Sequence, residues 1–300
     1  MVQAGIAGAG WSAWQGLPVR TPPEPDVLAE ILDGGQAFRW HPQPGGEWLG
    51  FWGRHVVRLR QNARRQLAWS APLALAGPAG AALARYLDAR RDPRLLADAL
   101  PWRSDAHLAR CIDAFPGLRL LRQPLDETLL CFLCSATKRI VQIKQMTALL
   151  AERLGQPLAD AAAGRALPTW PALAATTEGE LRGCRLGFRA RHIHQTAQFL
   201  AARPGWLEET GARPYAEARA RLCQLPGVGE KVADCVLLFG AGRLEAFPVD
   251  VWIIKAMERR YGLQGWKPAA IAHFGRVHFG ERAGLAQQYL FAWERREARK

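Results

Sequence analysis

The sequence predicts an α+β fold, with an antiparallel β-sheet domain packed on a mainly α-helical body. Between residues 19 and 71, short aromatic-rich or alternating segments are separated by proline and glycine, which is typical of strands and turns. After residue 81, apolar residues recur at helical spacing. We therefore predict an N-terminal sheet domain with flanking helices over residues 1–112 and a helical domain over residues 113–300.

Three segments carry the strand prediction, and one long segment carries the helix prediction. Gln36–Trp40 and Trp48–Trp52 are aromatic-rich, and residues 57–60 alternate valine or leucine with arginine, as on a half-exposed strand. The Gly-Pro-Ala-Gly segment at 77–80 is predicted to end the strand region. Apolar residues at helical spacing predict one helical stretch from Leu129 to Leu154.

The composition indicates a folded protein without a membrane-spanning segment. Of the 300 residues, 49% are hydrophobic and twelve are tryptophan, which is enough apolar material for a sizeable core. No apolar run approaches the roughly 18–20 residues that cross a bilayer. Met1–Trp14 lacks the basic start and apolar centre of a signal peptide. We expect a soluble, cytoplasmic protein.

The net charge of +13 points to a polyanionic partner. A basic surface can serve solubility alone, but an excess of this size more often accompanies nucleic-acid binding. Arginine supplies most of the charge. Because arginine cannot act as a neutral amine nucleophile, each lysine is a candidate for chemistry. The lysines are Lys138, Lys144, Lys231, Lys255, Lys267 and Lys300.

The cysteines and histidines favour neither a disulfide framework nor a metal site. The six cysteines are scattered, and the expected compartment is reducing. Cys131 and Cys134 have the spacing of a redox pair, but their apolar helical context favours buried core thiols. No compact group of four cysteines suggests an iron–sulfur cluster, and the histidines lack metal-ligand spacing with carboxylates.

The most informative stretch is Leu225–Cys235, where a Pro-Gly-Val-Gly turn separates two predicted helices. The first is predicted to end near Cys223 and the second to begin near Glu230, giving a hairpin over about residues 220–240. Outward-pointing N–H groups at such a helix start bind anions, and a DNA phosphate suits a basic protein. The alternative is an ordinary turn between helices, whereas a Walker-type loop lacks its Gly-Lys-Ser/Thr. The predicted backbone contacts are Gly227, Val228 and Gly229.

Lys231 follows this turn and falls in the first turn of the second helix. The positive end of the helix dipole disfavours an ammonium there, and burial would favour the neutral amine that attacks an electrophilic carbon. Cys235 is four residues further on and shares its helical face. The alternative interpretation of Lys231 is a surface lysine that contacts phosphate.

Asp250 lies nineteen residues after Lys231, in a Pro-Val-Asp segment that precedes a predicted helix from Trp252 to Tyr261. A structural interpretation makes it the helix N-cap. A functional interpretation makes it a carboxylate that stabilises positive charge developing on a deoxyribose. The two are compatible, because a capping side chain is held rigidly.

The hairpin, its lysine and the later aspartate resemble the helix–hairpin–helix (HhH-GPD) superfamily of base-excision glycosylases, and within it the 8-oxoguanine glycosylase/AP lyase branch. The resemblance implies a bifunctional, monomeric enzyme that acts on double-stranded DNA containing an oxidised purine. It implies that Lys231 attacks C1′, expels the base and forms a Schiff base, that β-elimination follows, and that Asp250 assists. Relatives need no cofactor, although a cation can bridge the hairpin and a phosphate.

Two further segments resemble the family's lesion-recognition motifs. Gly35 begins a Gly-Gln-Ala-Phe-Arg-Trp segment and aligns with the glycine whose carbonyl accepts the N7 hydrogen of the oxidised purine. Gln287 aligns with the glutamine at the lesion edge, and Phe291 aligns with the ring that stacks on the extruded base. Cys235 would cover the opposite face of that base. Without the resemblance, a strand-edge glycine and an ordinary amphipathic helix would explain these residues.

The segment that reads the opposite base departs from the eukaryotic pattern. An asparagine triplet is replaced at residues 137–139, an arginine by Gln142 and a wedge tyrosine by Phe188, while Trp252 stands where a phosphate-binding histidine is common. The residues that the resemblance assigns to DNA contact here are Thr137, Arg139, Gln142, Phe188, Arg189 and Trp252.

Two other functions remain open at this point. A glycosylase for another damaged purine would keep Lys231 and Asp250 but would not need Gly35 or Gln287. A non-catalytic hairpin module that only grips DNA would need neither Lys231 nor Asp250.

The altered opposite-base segment predicts a weaker preference for cytosine opposite the lesion than eukaryotic relatives show. The measurement is base excision from four duplexes that differ only in the base opposite 8-oxoguanine. A smaller rate difference between cytosine and the other three bases than eukaryotic relatives show is expected, and a strong preference for cytosine would contradict the prediction.

Overall fold

A five-stranded antiparallel sheet is the first layer of the fold, in a computed structural model that describes residues 10–158 and 160–299. Part of the Met1–Trp14 segment, residues 1–9, lies outside this description. The strand order is β1-β5-β4-β3-β2, and a separate hairpin pairs β6 with β7. The strands are β1 (Gln15–Leu17), β2 (Trp40–Pro42), β3 (Trp48–Trp52), β4 (His55–Gln61), β5 (Leu67–Ser70), β6 (Pro157–Leu158) and β7 (Asp160–Arg165).

The remaining layer is helical, which confirms the predicted α+β class. No helix in the described ranges is long and apolar enough to span a bilayer. The helices are α1 (Pro25–Asp33), α2 (Ala76–Tyr86), α3 (Pro93–Asp98), α4 (Ala106–Ala114), α5 (Leu125–Leu133), α6 (Ile140–Leu154), α7 (Trp170–Ala174), α8 (Glu178–Gly183), α9 (Arg189–Ala201), α10 (Trp206–Ala212), α11 (Tyr215–Leu222), α12 (Glu230–Phe239), α13 (Val251–Tyr261), α14 (Pro268–Phe279) and α15 (Ala283–Glu297).

The half-exposed strand predicted over residues 57–60 is confirmed in β4. Val57 and Leu59 are fully buried, whereas the guanidinium groups of Arg58 and Arg60 lie 4.0 and 4.1 Å from the ring centroids of Trp11 and Trp14. The apolar face of the strand therefore belongs to the core, and the guanidinium groups of the arginines cover aromatic rings on the other face.

Three element predictions were wrong in detail. Residues 19–71 include a helix, α1, whose Pro25 occupies the first helical position, where its fixed φ fits and no N–H is needed. The 77–80 segment was predicted as a break before the first helical pattern, but it lies in the first turns of α2, where a proline is tolerated for the same reason. The stretch 129–154 is not one helix, because α5 ends at Leu133 and α6 begins at Ile140.

Local hydrogen bonds explain the break between α5 and α6. The Ser135 hydroxyl donates to the Phe132 carbonyl at 2.7 Å, and Thr137 has a positive φ of 55°. The side-chain oxygen of Gln142 then accepts the Arg139 N–H at 3.0 Å, which supports the start of α6. These bonds do not change the helical spacing of the apolar residues in α5 and α6. The spacing therefore could not reveal the break between the two helices.

The main apolar core joins the sheet to the helical body, and a smaller cluster lies between β3, β4 and the β6–β7 hairpin. The rings of Phe132 on α5 and Phe239 on α12 stack 5.6 Å apart, and α15 packs against α4, α13 and α14. The predicted division after residue 112 falls inside α4, and how the chain divides into domains stays a prediction. Cys131 and Cys134 are buried, as predicted.

Asp105 connects the three helices α4, α13 and α14. One carboxylate oxygen caps α4 by accepting the Leu108 N–H at 2.8 Å, and the other accepts the Tyr261 hydroxyl at 2.9 Å and lies 2.9 Å from His278 Nε2. Burial raises the pKa of Asp105, but these bonds outweigh it and leave the pKa below its ordinary value. Tyr261 ends α13, the helix that Asp250 begins, so Asp105 helps to fix α13 at its far end.

Replacing Asp105 with alanine should lower the free energy of unfolding by about 2–4 kcal/mol, because a helix cap and two buried side-chain bonds are lost. Urea denaturation measures this. The contribution is present above pH 3.8 and is lost as the pH falls through the lowered pKa of Asp105. Asp98→Ala is the control, since Asp98 pairs with Arg103 at an exposed position and should change stability by less than about 0.5 kcal/mol. Equal effects of the two variants would contradict this account.

Candidate active site

Lys231 lies in the first turn of α12, directly after the hairpin, as predicted. Its side chain is partly buried, and Nζ donates to the Ser135 hydroxyl at 3.2 Å. The same nitrogen lies 5.1 Å from the ring centroid of Phe132. The residues that end α5 therefore hold the amine over the pocket.

Asp250 caps α13, which confirms its predicted structural role. Its Oδ1 accepts the N–H groups of Trp252 at 3.0 Å and Ile253 at 2.9 Å. Burial raises the pKa of Asp250 above its ordinary value, and the two N–H bonds and the charge of Lys231 act in the opposite direction. The capping bonds hold the carboxylate in one orientation at the pocket wall.

One cleft brings together Lys231, Asp250 and every residue predicted for the lesion pocket. These residues come from the two ends of the sequence and from its hairpin, and they meet because α15 packs across the start of α13. The lining residues are Gly35, Phe132, Lys231, Cys235, Phe239, Pro248, Asp250, Gln287, Gln288 and Phe291.

Gly35 occupies a position that only glycine fits. Its φ is +108°, and a Cβ there would lie 3.0 Å from Cδ1 of Ile140. The neighbouring Gln36 is fully buried, and its amide donates to the Arg119 carbonyl at 3.1 Å and accepts the Leu121 N–H at 3.0 Å. This buried amide fixes the backbone on which Gly35 lies.

Helix α15 presents Gln287, Phe291 and Arg295 at intervals of four residues along one face. Arg295 is buried and donates to the carboxylate of Glu30 and to the carbonyl of Gly34, both at 2.5 Å. Its guanidinium also lies 5.4 Å from the ring centroid of Phe291. Arg295 thus connects the glycine turn and the aromatic wall of the same pocket.

Gln287 and Cys235 line the cleft with side chains of defined chemistry. Gln287 is 4% exposed; its Nε2 donates to the Pro248 carbonyl at 3.2 Å, and its Oε1 has no partner among the described residues. Burial raises the pKa of Cys235 to about 12, so its thiol stays protonated and presents an uncharged surface.

The hairpin turn is anchored from behind by α9. Gly227 has a φ of +81°, and a Cβ there would lie 2.7 Å from Cβ of His192. The Thr196 hydroxyl donates to the Pro226 carbonyl at 2.9 Å, and Val228 is buried. Gly229, by contrast, is exposed and caps α12, which leaves its backbone accessible to an anion.

The residues predicted for opposite-base and phosphate contact do not line the cleft. Phe188 is 53% exposed at the start of α9. Arg189 is buried, and its guanidinium donates to the carbonyls of Leu186 and Ala136 and to the Thr137 hydroxyl. The DNA roles of this group stay predictions. The group consists of Thr137, Arg139 and Gln142 around the α5–α6 turn, Phe188 and Arg189 at the start of α9, and Trp252 at the start of α13.

Comparison with known proteins identifies the family. Residues 19–129 match the N-terminal domain of 8-oxoguanine DNA glycosylase, and residues 130–275 match the HhH-GPD superfamily of base excision DNA repair proteins. The N-glycosylase/DNA lyase OGG1 of Arabidopsis thaliana is 34% identical over 278 residues, which cover 87% of this chain and 75% of that protein. The chain belongs to the 8-oxoguanine DNA glycosylase family.

Solved structures extend the family likeness over nearly the whole chain. The 8-oxoguanine glycosylase/lyase of Clostridium acetobutylicum in its apo-form has a TM-score of 0.85 at 31% identity, covering 97% of this chain and 100% of that one. The same protein in complex with double-stranded DNA containing cytosine opposite 8-oxoguanine has a TM-score of 0.85 at 30% identity, covering 96% and 99% of the two chains. The resemblance predicted from the motifs is confirmed.

Sequence reasoning missed several residues that build the cleft. The lysine partners Ser135 and Phe132 fall in the stretch that was predicted to be one helix, so no turn was expected beside Lys231. The Pro248 carbonyl belongs to the Pro-Val-Asp motif and could have been noticed there. Arg295 follows Phe291 by four residues, and this spacing is the one sequence signal that it shares the face of α15 with Gln287 and Phe291.

The two hairpin glycines should respond differently to alanine. Gly227→Ala should lower the free energy of unfolding by about 1–3 kcal/mol, because it combines a positive φ with a clash against His192. Gly229→Ala should leave stability within about 0.5 kcal/mol, since its φ is −93° and no atom lies within 4 Å of the added Cβ. Chemical denaturation of both variants measures this. A Gly229→Ala loss as large as that of Gly227→Ala would contradict the geometry.

Proposed function

We propose that this chain is a bifunctional DNA glycosylase/AP lyase that excises 8-oxoguanine from duplex DNA. The observation that carries the proposal is the common cleft, in which a lysine amine and a capping aspartate meet the glycine, glutamine and phenylalanine of the lesion-recognition motifs. A module that only grips DNA requires neither the amine nor the carboxylate. A glycosylase for another damaged purine does not require Gly35 and Gln287 at the same cleft.

Recognition follows from the groups that line the cleft. The damaged nucleotide is extruded from the duplex, and its base lies between Phe291 on one face and Cys235 on the other. The Gly35 carbonyl accepts the N7 hydrogen that oxidation adds to guanine. The free Oε1 of Gln287 accepts N–H groups from the Watson–Crick edge, because its Nε2 is engaged by Pro248.

Catalysis uses the neutral amine of Lys231. The amine attacks C1′ of the damaged nucleotide, the glycosidic C–N bond breaks, and the base departs with the bonding electrons and gains a proton. The Asp250 carboxylate stabilises the positive charge that develops on the sugar. Loss of a proton and opening of the sugar ring give a Schiff base between Nζ and C1′. Removal of a C2′ proton then expels the 3′ phosphate by β-elimination.

The DNA is gripped outside the cleft by the hairpin and by basic surface. The backbone N–H groups of Gly227, Val228 and Gly229 bind a phosphate, and the net charge of +13 supplies the sequence-independent attraction. Phe188 is exposed and suited to wedge beside the orphaned base. Arg189 contacts the edge of that base and is held by Thr137, while Arg139 and Gln142 contact the adjacent DNA and Trp252 offers an indole N–H to phosphate.

The remaining features of the proposal follow from the same chemistry. An amine and a carboxylate suffice for the reaction, so the enzyme requires no cofactor, and a cation bridging the hairpin and a phosphate has a structural role only. A single chain supplies every group named in the mechanism, so the enzyme acts as a monomer. Because DNA is its substrate, the enzyme acts in the cytoplasm and associates with the nucleoid.

Borohydride trapping on a duplex with one 8-oxoguanine opposite cytosine tests the proposal. A covalent adduct with the intact protein is expected on the lesion duplex and not on an undamaged control. The Lys231→Gln variant should give no adduct, because its amide cannot form a Schiff base. Gel analysis of the trapped complex is the readout. If the intact protein neither forms the adduct nor releases the base, the proposed activity is refuted.

Asp250→Asn separates the catalytic role of this residue from its capping role. Asparagine caps helices as well as aspartate does, so the free energy of unfolding should change by less than about 1 kcal/mol. Single-turnover base excision should fall by about 100-fold or more, because the charge opposite the developing cation is lost. Excision at a rate near that of the unsubstituted protein would remove Asp250 from the mechanism.

A further inference from the structure

Gln288 is a second glutamine at the cleft, and the mechanism above does not use it. It follows Gln287 on α15, is 2% exposed and lines the same cleft. Its Nε2 is buried and has no hydrogen-bond partner among the described residues. Buried amide groups are usually paired, so this donor, which lies in the lining of the cleft, is available to a bound ligand.

The two adjacent glutamines leave unpaired atoms of opposite kinds. Gln287 has a free acceptor, Oε1, because the Pro248 carbonyl holds its Nε2. Gln288 has a free donor, Nε2. A purely structural role would be served as well by an apolar side chain of the same size, since leaving an amide N–H buried and unpaired is unfavourable. The pair therefore has the character of a recognition surface with one acceptor and one donor.

Both glutamines line the cleft beside Phe291. Phe291 lies four residues after Gln287 and three after Gln288, so the amides flank the ring proposed to stack on the base. The Watson–Crick edge of a guanine-type base carries two donors, N1–H and the 2-amino group, beside one acceptor, O6. One free acceptor and one free donor on the protein complement that edge.

We infer that Gln288 is a specificity-determining residue that donates its Nε2–H to O6 of the extruded base. The inference rests on the proposed function and adds to it the recognition of the 6-oxygen. Oxidised adenine carries a donor amino group at position 6 and an acceptor at N1. Its 6-amino donor meets the donor of Gln288, and its N1 acceptor meets the acceptor of Gln287. Neither pair can form a hydrogen bond, so the cleft selects oxidised guanine over oxidised adenine.

The test is a double-mutant cycle between residue 288 and the 6-oxygen, read by single-turnover base excision. The proteins are the unsubstituted chain and Gln288→Leu. The duplexes carry 8-oxoguanine or its 6-thio analogue, in which sulfur, a weak acceptor, replaces O6 and the other edge groups remain. The excision rate of Gln288→Leu on 8-oxoguanine should be about five- to tenfold lower than that of the unsubstituted chain, and the unsubstituted chain should be slower on the analogue by a similar factor. The variant should excise the analogue no more slowly than it excises 8-oxoguanine.

Gln287→Leu is the matched control, because it removes a contact that does not involve position 6. It should excise the base from both duplexes more slowly. The factor lost through Gln287→Leu and the factor lost through the 6-thio analogue should multiply. Gln288→Met, with a side chain of similar length, repeats the test if the leucine variant has a lowered thermal midpoint. Full activity of both Gln288 variants on 8-oxoguanine, or losses that multiply with that of the analogue, would overturn the inference. Failure of the unsubstituted chain to excise 8-oxoguanine would overturn the proposed function instead.

Discussion

Two helix starts meet at one cleft, and the chemistry of the site depends on that meeting. Lys231 lies in the first turn of α12, and Asp250 caps α13. The positive ends of both helices favour negative charge in the space between them. Burial raises the pKa of Asp250, and the two capping N–H groups and the charge of Lys231 oppose that effect. The fold thus holds an amine and a carboxyl group at two helix starts that face the same cleft.

A buried ion pair connects this centre to the N-terminal part of the chain. Arg295 and Glu30 are 265 residues apart in sequence and 2.5 Å apart in space. A buried pair of this kind adds little to stability, because desolvating the two charges offsets their attraction. Its value lies in geometry, since the same guanidinium holds the Gly34 carbonyl and lies against Phe291. The carbonyl edge and the aromatic wall of the cleft are consequently set by one side chain.

The sequence predicted the parts of the site that local signals specify. Lys231 and Asp250 each lie at a helix start, where caps, glycines and proline leave a readable pattern, and both positions are confirmed. Gly35, Gln287 and Phe291 carry no such signal, and only the family resemblance placed them in one pocket. Contacts between distant segments, such as Lys231 with Ser135, depend on how α5 and α12 pack, and no periodicity in either helix encodes that.

Burial of the cysteine thiols affects how the enzyme responds to oxidants. Burial raises the pKa of Cys111, Cys134 and Cys235 to about 12 and raises that of Cys131 well above its ordinary value, while Cys223 alone among the described cysteines is exposed. Oxidants react with accessible thiolates, and these four thiols are buried and protonated. The sulfur of Cys235, which lines the cleft, should therefore stay reduced under the oxidising conditions that damage guanine.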